Sequence, residues 1–257
     1  MSTRARTRLR PSQFASGTLR IAARELGAAF DSWIAPVYAV AFALLANSIF
    51  MNEFFLRGAL DMTPFFGSLP LLFAVFLPAI SMRLWAEERK ARTVELLLTL
   101  PLLPIQAILG KHLAGMGLLL LFLATSLPIP IMLGTLGEPD YGRIFGGYLG
   151  SLFLGSAFLA IGGLASALTK DQIVAFVLTA VSLFALVLSG DASVVAILDG
   201  LRPTLALGTW LRDSLSVTPP FDAFTRGLLE LSGVVHFTLL TLLALWGTTL
   251  VLQRNRA

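Results

Sequence analysis

Long runs without a charged residue alternate with short polar connections along this chain. Six such runs, at 32–52, 62–82, 113–137, 144–169, 172–190 and 231–253, have about the 20 residues that a helix needs to cross a bilayer core. They predict membrane spans at 34–52, 63–83, 110–136, 144–168, 172–190 and 232–253, the fifth being the shortest. Pro70 and Pro78 in span two, and Pro128 and Pro130 in span three, predict kinks, because proline removes a backbone donor that neighbouring helices must compensate. Such kinks serve either as hinges or as ordinary bends. In span four, Gly147, Ser151 and Gly155 recur every four residues, a spacing that permits close helix contact inside the subunit or across a dimer face. No three-plus-three repeat is visible, which speaks against an independent secondary carrier.

The connections are equally informative. Before the first span, Leu19, Ala22, Ala23, Leu26, Phe30 and Trp33 fall at helical spacing, with Arg20, Arg24 and Asp31 elsewhere around the wheel. This predicts either an interfacial "elbow" helix within 1–33 or a ragged start to the first span. Between spans five and six, residues 191–230 are too long for an unstructured connection and hold moderately apolar pieces, so short extracytoplasmic helices are expected there. The fold class is thus an all-α membrane protein: six transmembrane helices, an N-terminal elbow, and one permease domain over 1–257.

Composition agrees, with 56% hydrophobic and 13% charged residues and a mean hydropathy of +0.82. Of the nineteen Lys and Arg, only Arg57, Arg143, Arg202, Arg212 and Arg226 fall on the side of the chain opposite the N-terminus. The positive-inside rule therefore places both termini in the cytoplasm, and an inner (cytoplasmic) membrane location is expected. The high pI of about 10.0 reflects this topology; a nucleic-acid footprint would need a soluble basic surface. The arginines at 4, 6, 8 and 10 read as a retained cytoplasmic tail, since the first apolar run starts some twenty residues later.

Catalytic chemistry is missing from the sequence. Cysteine is absent, and His112 and His236 stand far apart. No metalloprotease, hydrolase or phosphate-loop motif occurs, and no acidic or basic residue sits mid-span where an ion-coupled pump would keep one. No catalytic, cofactor-binding or metal residues are assigned. Any energy for transport is expected from a partner.

The exception to the greasy pattern is the segment AEERKARTVELLLTLP at 86–101, followed by ILGK at 108–111. Charged residues at this density belong in water or at the interface. On a helix Glu88 and Arg92 would form an i,i+4 pair, and the leucines after them would need a groove or membrane surface to cover them. This segment resembles the signature of ABC transporter permeases of the type-2 exporter class, most closely the gliding-motility-type and copper-site-maturation-type permeases. Their pattern runs E-E-R-x-x-G-T-x-E-x-L-L-x-x-P, then an apolar residue and G-K. The likeness extends to 20–33 and 220–227. One departure stands out: Arg92 occupies the usual glycine position.

The resemblance implies that 86–103 is a cytoplasmic coupling helix seated on a separate ABC ATP-binding subunit, which carries the ATP and Mg. It further implies that Glu87, Glu88 and Arg89 make polar contacts with that subunit, that Thr93 and Glu95 fix the turn, and that Leu96, Leu97 and Pro101 fill an apolar groove. A second permease copy, identical or paralogous, is implied as well. An extracytoplasmic accessory protein could dock on 191–230. The expected function is a non-catalytic permease subunit exporting an unidentified substrate. The alternative is a force-transmitting scaffold that drives an outer partner without solute transport.

Overall fold

The computed structural model describes residues 11–31, 33–93, 104–201 and 205–254. Twelve helices and no strand occur among the described residues. They are α1 (Pro11–Asp31), α2 (Ile34–Arg57), α3 (Thr63–Ser81), α4 (Arg83–Lys90), α5 (Pro104–Ala124), α6 (Pro128–Leu136), α7 (Tyr141–Leu168), α8 (Gln172–Leu188), α9 (Ala192–Leu201), α10 (Leu207–Ser214), α11 (Thr218–Thr225) and α12 (Leu231–Arg254).

Aspartates punctuate the bundle. Asp61 accepts from the Thr63 amide at 2.9 Å, Asp140 from Arg143 at 3.1 Å, Asp171 from Ile173 at 2.7 Å and Asp191 from Ser193 at 2.8 Å. Each satisfies an amide that the first turn of the following helix leaves open. At the other end of α2, Gly58 adopts φ 61° and donates its amide to Phe54.

Among the described residues, five segments are long and apolar enough to cross a bilayer: Ala35–Arg57, Thr63–Lys90, Pro104–Leu136, Tyr141–Leu168 and Leu231–Arg254. The fifth expected span differs. Its helix, Gln172–Leu188, is 17 residues long and meets Ala192–Leu201 at 86°, so the pair forms a broken span or a re-entrant loop. The bend sits at Gly190, where a Cβ would come within 2.3 Å of Ser216 Oγ and 2.7 Å of Thr218 Cβ. The start of α11 occupies the space that a continuing side chain would need. α9 buries none of its side chains and leaves Ile197 and Leu201 exposed.

Helix α7 lies at the centre, packed by α3, α5, α8, α11 and α12. Its small residues admit bulky neighbours. A Cβ on Gly147 would strike the Phe66 ring at 2.4 Å, and one on Gly155 would strike Leu119 at 2.3 Å. Between them, Ser151 is buried and returns its hydroxyl to the Gly147 carbonyl at 2.7 Å. An aromatic cluster closes the other side, with Phe42 centroids 5.0 Å from Phe122 and 5.5 Å from Phe76.

The break between α5 and α6 follows from Pro128 and Pro130, which disrupt the helical ladder. Asn47 of α2 donates to the Thr125 carbonyl at 3.4 Å, and Ser126 shares a 2.8 Å hydrogen bond with the Tyr148 hydroxyl. Asn47 thus satisfies one carbonyl the break frees, and the Ala124 and Ser126 carbonyls accept from the Leu127 and Ile129 amides at 3.2 and 3.0 Å, as a bilayer interior requires.

Candidate functional site

Helices α3 and α4 run on as one 28-residue helix, Thr63–Lys90. At 1.5 Å per residue it is about 42 Å long, against a bilayer core of about 30 Å. An untilted helix of that length leaves about eight residues outside the core, and the charged α4, RLWAEERK, has that length. At the junction the Ser166 hydroxyl of α7 accepts from the Trp85 and Ala86 amides, both at 3.0 Å, and donates to the Met82 carbonyl at 2.8 Å. A side chain wedged into the i→i−4 ladder interrupts a helix without ending it. Here it also fastens the projecting end to α7. The Arg89 guanidinium adds a second fastening by donating to the Ala167 carbonyl.

A third comes from α5. Lys111 is 3% exposed, and its ammonium lies 3.0 Å from Glu88 Oε1 and 3.1 Å from Glu25 Oε2. The same ammonium sits 5.1 Å from the centre of the Trp85 ring, within cation–π range. One buried cation therefore joins α1, α4 and α5. Burial pushes the Glu25 carboxyl upward, but the charges and hydrogen bonds of Lys111 and Arg24 outweigh it and hold the group below its ordinary range. Helix α1 reaches this site because it runs alongside α5. Gln106 donates to the Phe14 carbonyl at 3.1 Å, and a Cβ on Gly110 would lie 2.7 Å from Ile21. Gly110 lets the helices close, and Lys111 then binds the carboxylates that closure brings together.

The end of α4 is a Schellman motif. The Thr93 amide reaches back to the Glu88 carbonyl at 3.0 Å, and the Arg92 amide to the Arg89 carbonyl at 3.4 Å. Arg92 between them has φ 56°, the left-handed conformation that favours glycine. The residue that departs from the family pattern thus occupies a backbone position where glycine carries no steric penalty. This overturns the expected Glu88–Arg92 helical pair: the helix stops at Lys90, and Glu88 pairs with Lys111 instead.

The expected site residues separate into three groups. Glu87 and Thr93 are exposed, along with Lys90 and Arg92. Glu88 and Arg89 turn inward and bond within their own chain. Glu95, Leu96, Leu97 and Pro101 lie outside the described residues. Glu25, Trp85 and Ser166 carry no sequence motif that marks them as site residues. Lys111 was visible as the lysine of the G-K pair, though its burial was not. Elsewhere, His112 pairs with Ser156 at 3.1 Å between α5 and α7. Among the described residues no group of three or more His, Asp or Glu is placed to hold a metal.

Residues 68–252, most of the chain, match the family described as ABC-2 family transporter protein. The chain belongs to the ABC-2 transporter family. It is accordingly a multi-pass membrane permease subunit of an ABC transporter, a class that works with an ATP-binding subunit. No curated protein matches it. The matched region of this ABC-2 permease takes in α4, the Schellman turn, Lys111 and the α7 residues that clamp them.

Proposed function

We propose that this ABC-2 permease couples ATP hydrolysis on a separate cytoplasmic subunit to the export of a substrate, with the α4 end as the point of engagement. The observation that carries this reading is the three-way fastening of a projecting helix. A displacement applied at 87–93 is passed to α7 through Ser166 and Arg89, to α5 and α1 through Lys111, and along its own axis into α3. In this reading Glu87, Lys90, Arg92 and Thr93 face the ATP-binding subunit, and 94–103 complete the contact with Glu95, Leu96, Leu97 and Pro101. Glu88 and Arg89 act mainly by positioning. Both termini are cytoplasmic, ATP and Mg stay on the partner, and a second permease copy completes the pathway.

Force transmission to an outer partner is a second reading. It is favoured by Ser126 and His112, whose side chains are spent on contacts between helices rather than aligned along a route for a polar solute. ATPase turnover in vesicles holding the permease and its ATP-binding subunit tests the shared mechanism. Glu87→Lys with Lys90→Glu should leave the permease folded and lower turnover. Unchanged turnover and unchanged assembly would remove α4 from the mechanism. ATP-dependent flux in the same vesicles separates export from the mechanical role.

A further inference from the structure

Where α1 turns into α2, these helices together with α3, α4 and α5 leave a cleft of about 170 Å³. Tyr38, Ile80, Leu118 and Phe122 supply apolar lining, and Arg83 and Glu87 are its charged residues along with Glu25. Glu25 is already engaged by Arg24 and Lys111. Arg83 is not satisfied in the same way. Its side chain is 39% exposed, and its shielded Nε has no hydrogen-bond partner; Glu87 Oε2, 4.0 Å away, completes only a loose ion pair. The terminal N–H groups of this part-exposed, loosely paired guanidinium are left to donate outward, so the cleft can take an anionic oxygen.

Position and charge narrow the ligand. Arg83 follows directly on α3, which has about the length needed to cross the hydrocarbon, so the guanidinium sits at headgroup depth. Glu87 beside it is 60% exposed and offers a carboxylate to a cation. A phosphate for Arg83, an ammonium for Glu87 and an acyl chain for the apolar lining are all present in one kind of molecule. We propose that this cleft binds a phospholipid carrying a phosphoethanolamine headgroup, held as a resident lipid at the junction of α1 and α4. A phosphate oxygen accepts from the terminal N–H groups of Arg83, and the primary ammonium donates to Glu87. The cleft is several water volumes in size, room for the phosphate, the glycerol and the first carbons of a chain. The assignment requires only that the chain sits in a bilayer; Glu87 is shared with the proposed ATP-binding contact, whereas Arg83 and Ile80 are not, so variants at those two residues test the lipid alone.

Native mass spectrometry of the full chain, released from vesicles of equal phosphatidylethanolamine and phosphatidylglycerol, tests it. The expected result is one retained phosphatidylethanolamine per chain, in preference to phosphatidylglycerol. Arg83→Gln should lower retention about tenfold or more, the scale of losing a charge-assisted hydrogen bond. Glu87→Gln should move the preference toward phosphatidylglycerol. Ile80→Trp should expel the lipid while keeping both charges, so the test survives a misfolded Arg83 variant. Helical circular dichroism verifies each fold. Retention of both lipids in their bulk ratio, or full retention in folded Arg83→Gln and Ile80→Trp, would overturn the proposal. So would displacement of the lipid by millimolar inorganic phosphate, which would mark a simple anion site.

Discussion

Lys111 Nζ and Glu88 Oε1 lie 3.0 Å apart, one on the first turns of α5 and the other on the projecting end of α4. The lysine is nearly inaccessible and serves Glu25 as well, so the pair acts as a junction between three helices rather than as surface decoration. Removing one partner of a buried pair costs about 3–5 kcal/mol because it strands the other charge. Glu88 and Glu25 keep some exposure, which reduces that figure. Lys111→Met should therefore destabilise the permease by about 2 kcal/mol. A double-mutant cycle with Glu88→Gln, followed by thermal unfolding in one detergent, should give a coupling of about 1 kcal/mol. Additive effects would show that the pair is merely adjacent.

Arg92 makes a prediction of the opposite sign. At φ 56° its side chain is strained where glycine would be at ease. Arg92→Gly should tighten the α4 cap by about 1 kcal/mol. Hydrogen exchange at the Thr93 amide, which is bonded to Glu88, should slow about fivefold. Arg92→Ala should produce no such slowing, since alanine carries the same backbone penalty.

Gly110 can be tested by a single methyl group. Its Cβ would meet Ile21 at 2.7 Å and the Thr18 carbonyl at 3.0 Å. Because backbone stands in the way, Gly110→Ala should cost about 1–3 kcal/mol and loosen α1 from α5. Limited proteolysis should then cleave within α1 while α7 and α12 stay protected. Unchanged resistance of α1 would show that the helices can part slightly without cost.

Glu25 sets a pH dependence. Its folded carboxyl is held below the ordinary range, so its stabilising contribution is fully present above that range. The contribution is lost as the pH falls through the depressed folded value. Thermal midpoints should be level near neutrality and drop in acid, and Glu25→Gln should flatten part of that drop. An identical acid profile in the variant would place the titrating group elsewhere.

The apolar runs made the spanning helices legible, but absence of charge is a poor guide to where a helix ends. α2 continues to Arg57, where an exposed Glu53–Arg57 pair at 2.5 Å supports another turn. α3 passes through Arg83–Lys90 because charge marks solvent, not a helix break. The fifth span was harder still. Its length was readable, while the 86° bend depends on Ser216 and Thr218 arriving from a distant helix. At the candidate site, motif residues stood out, but spacing could not say which faced inward. Glu88 finds Lys111 only because α5 returns beside α4, and Glu25 joins only because Gly110 admits α1. The left-handed turn at Arg92 was signalled only by the glycine that the family pattern carries there, not by a residue of this chain.

The chain has no cysteine, so single cysteines can be read without background. With Lys90→Cys or Thr93→Cys in sealed vesicles whose cytoplasmic face is outward, an impermeant maleimide measures the exposed side of α4 directly. Coupling through α4 predicts rapid labelling that the bound ATP-binding subunit suppresses, with a bifunctional reagent joining the two proteins. Labelling only from the opposite face, or at a rate the subunit leaves unchanged, would contradict it.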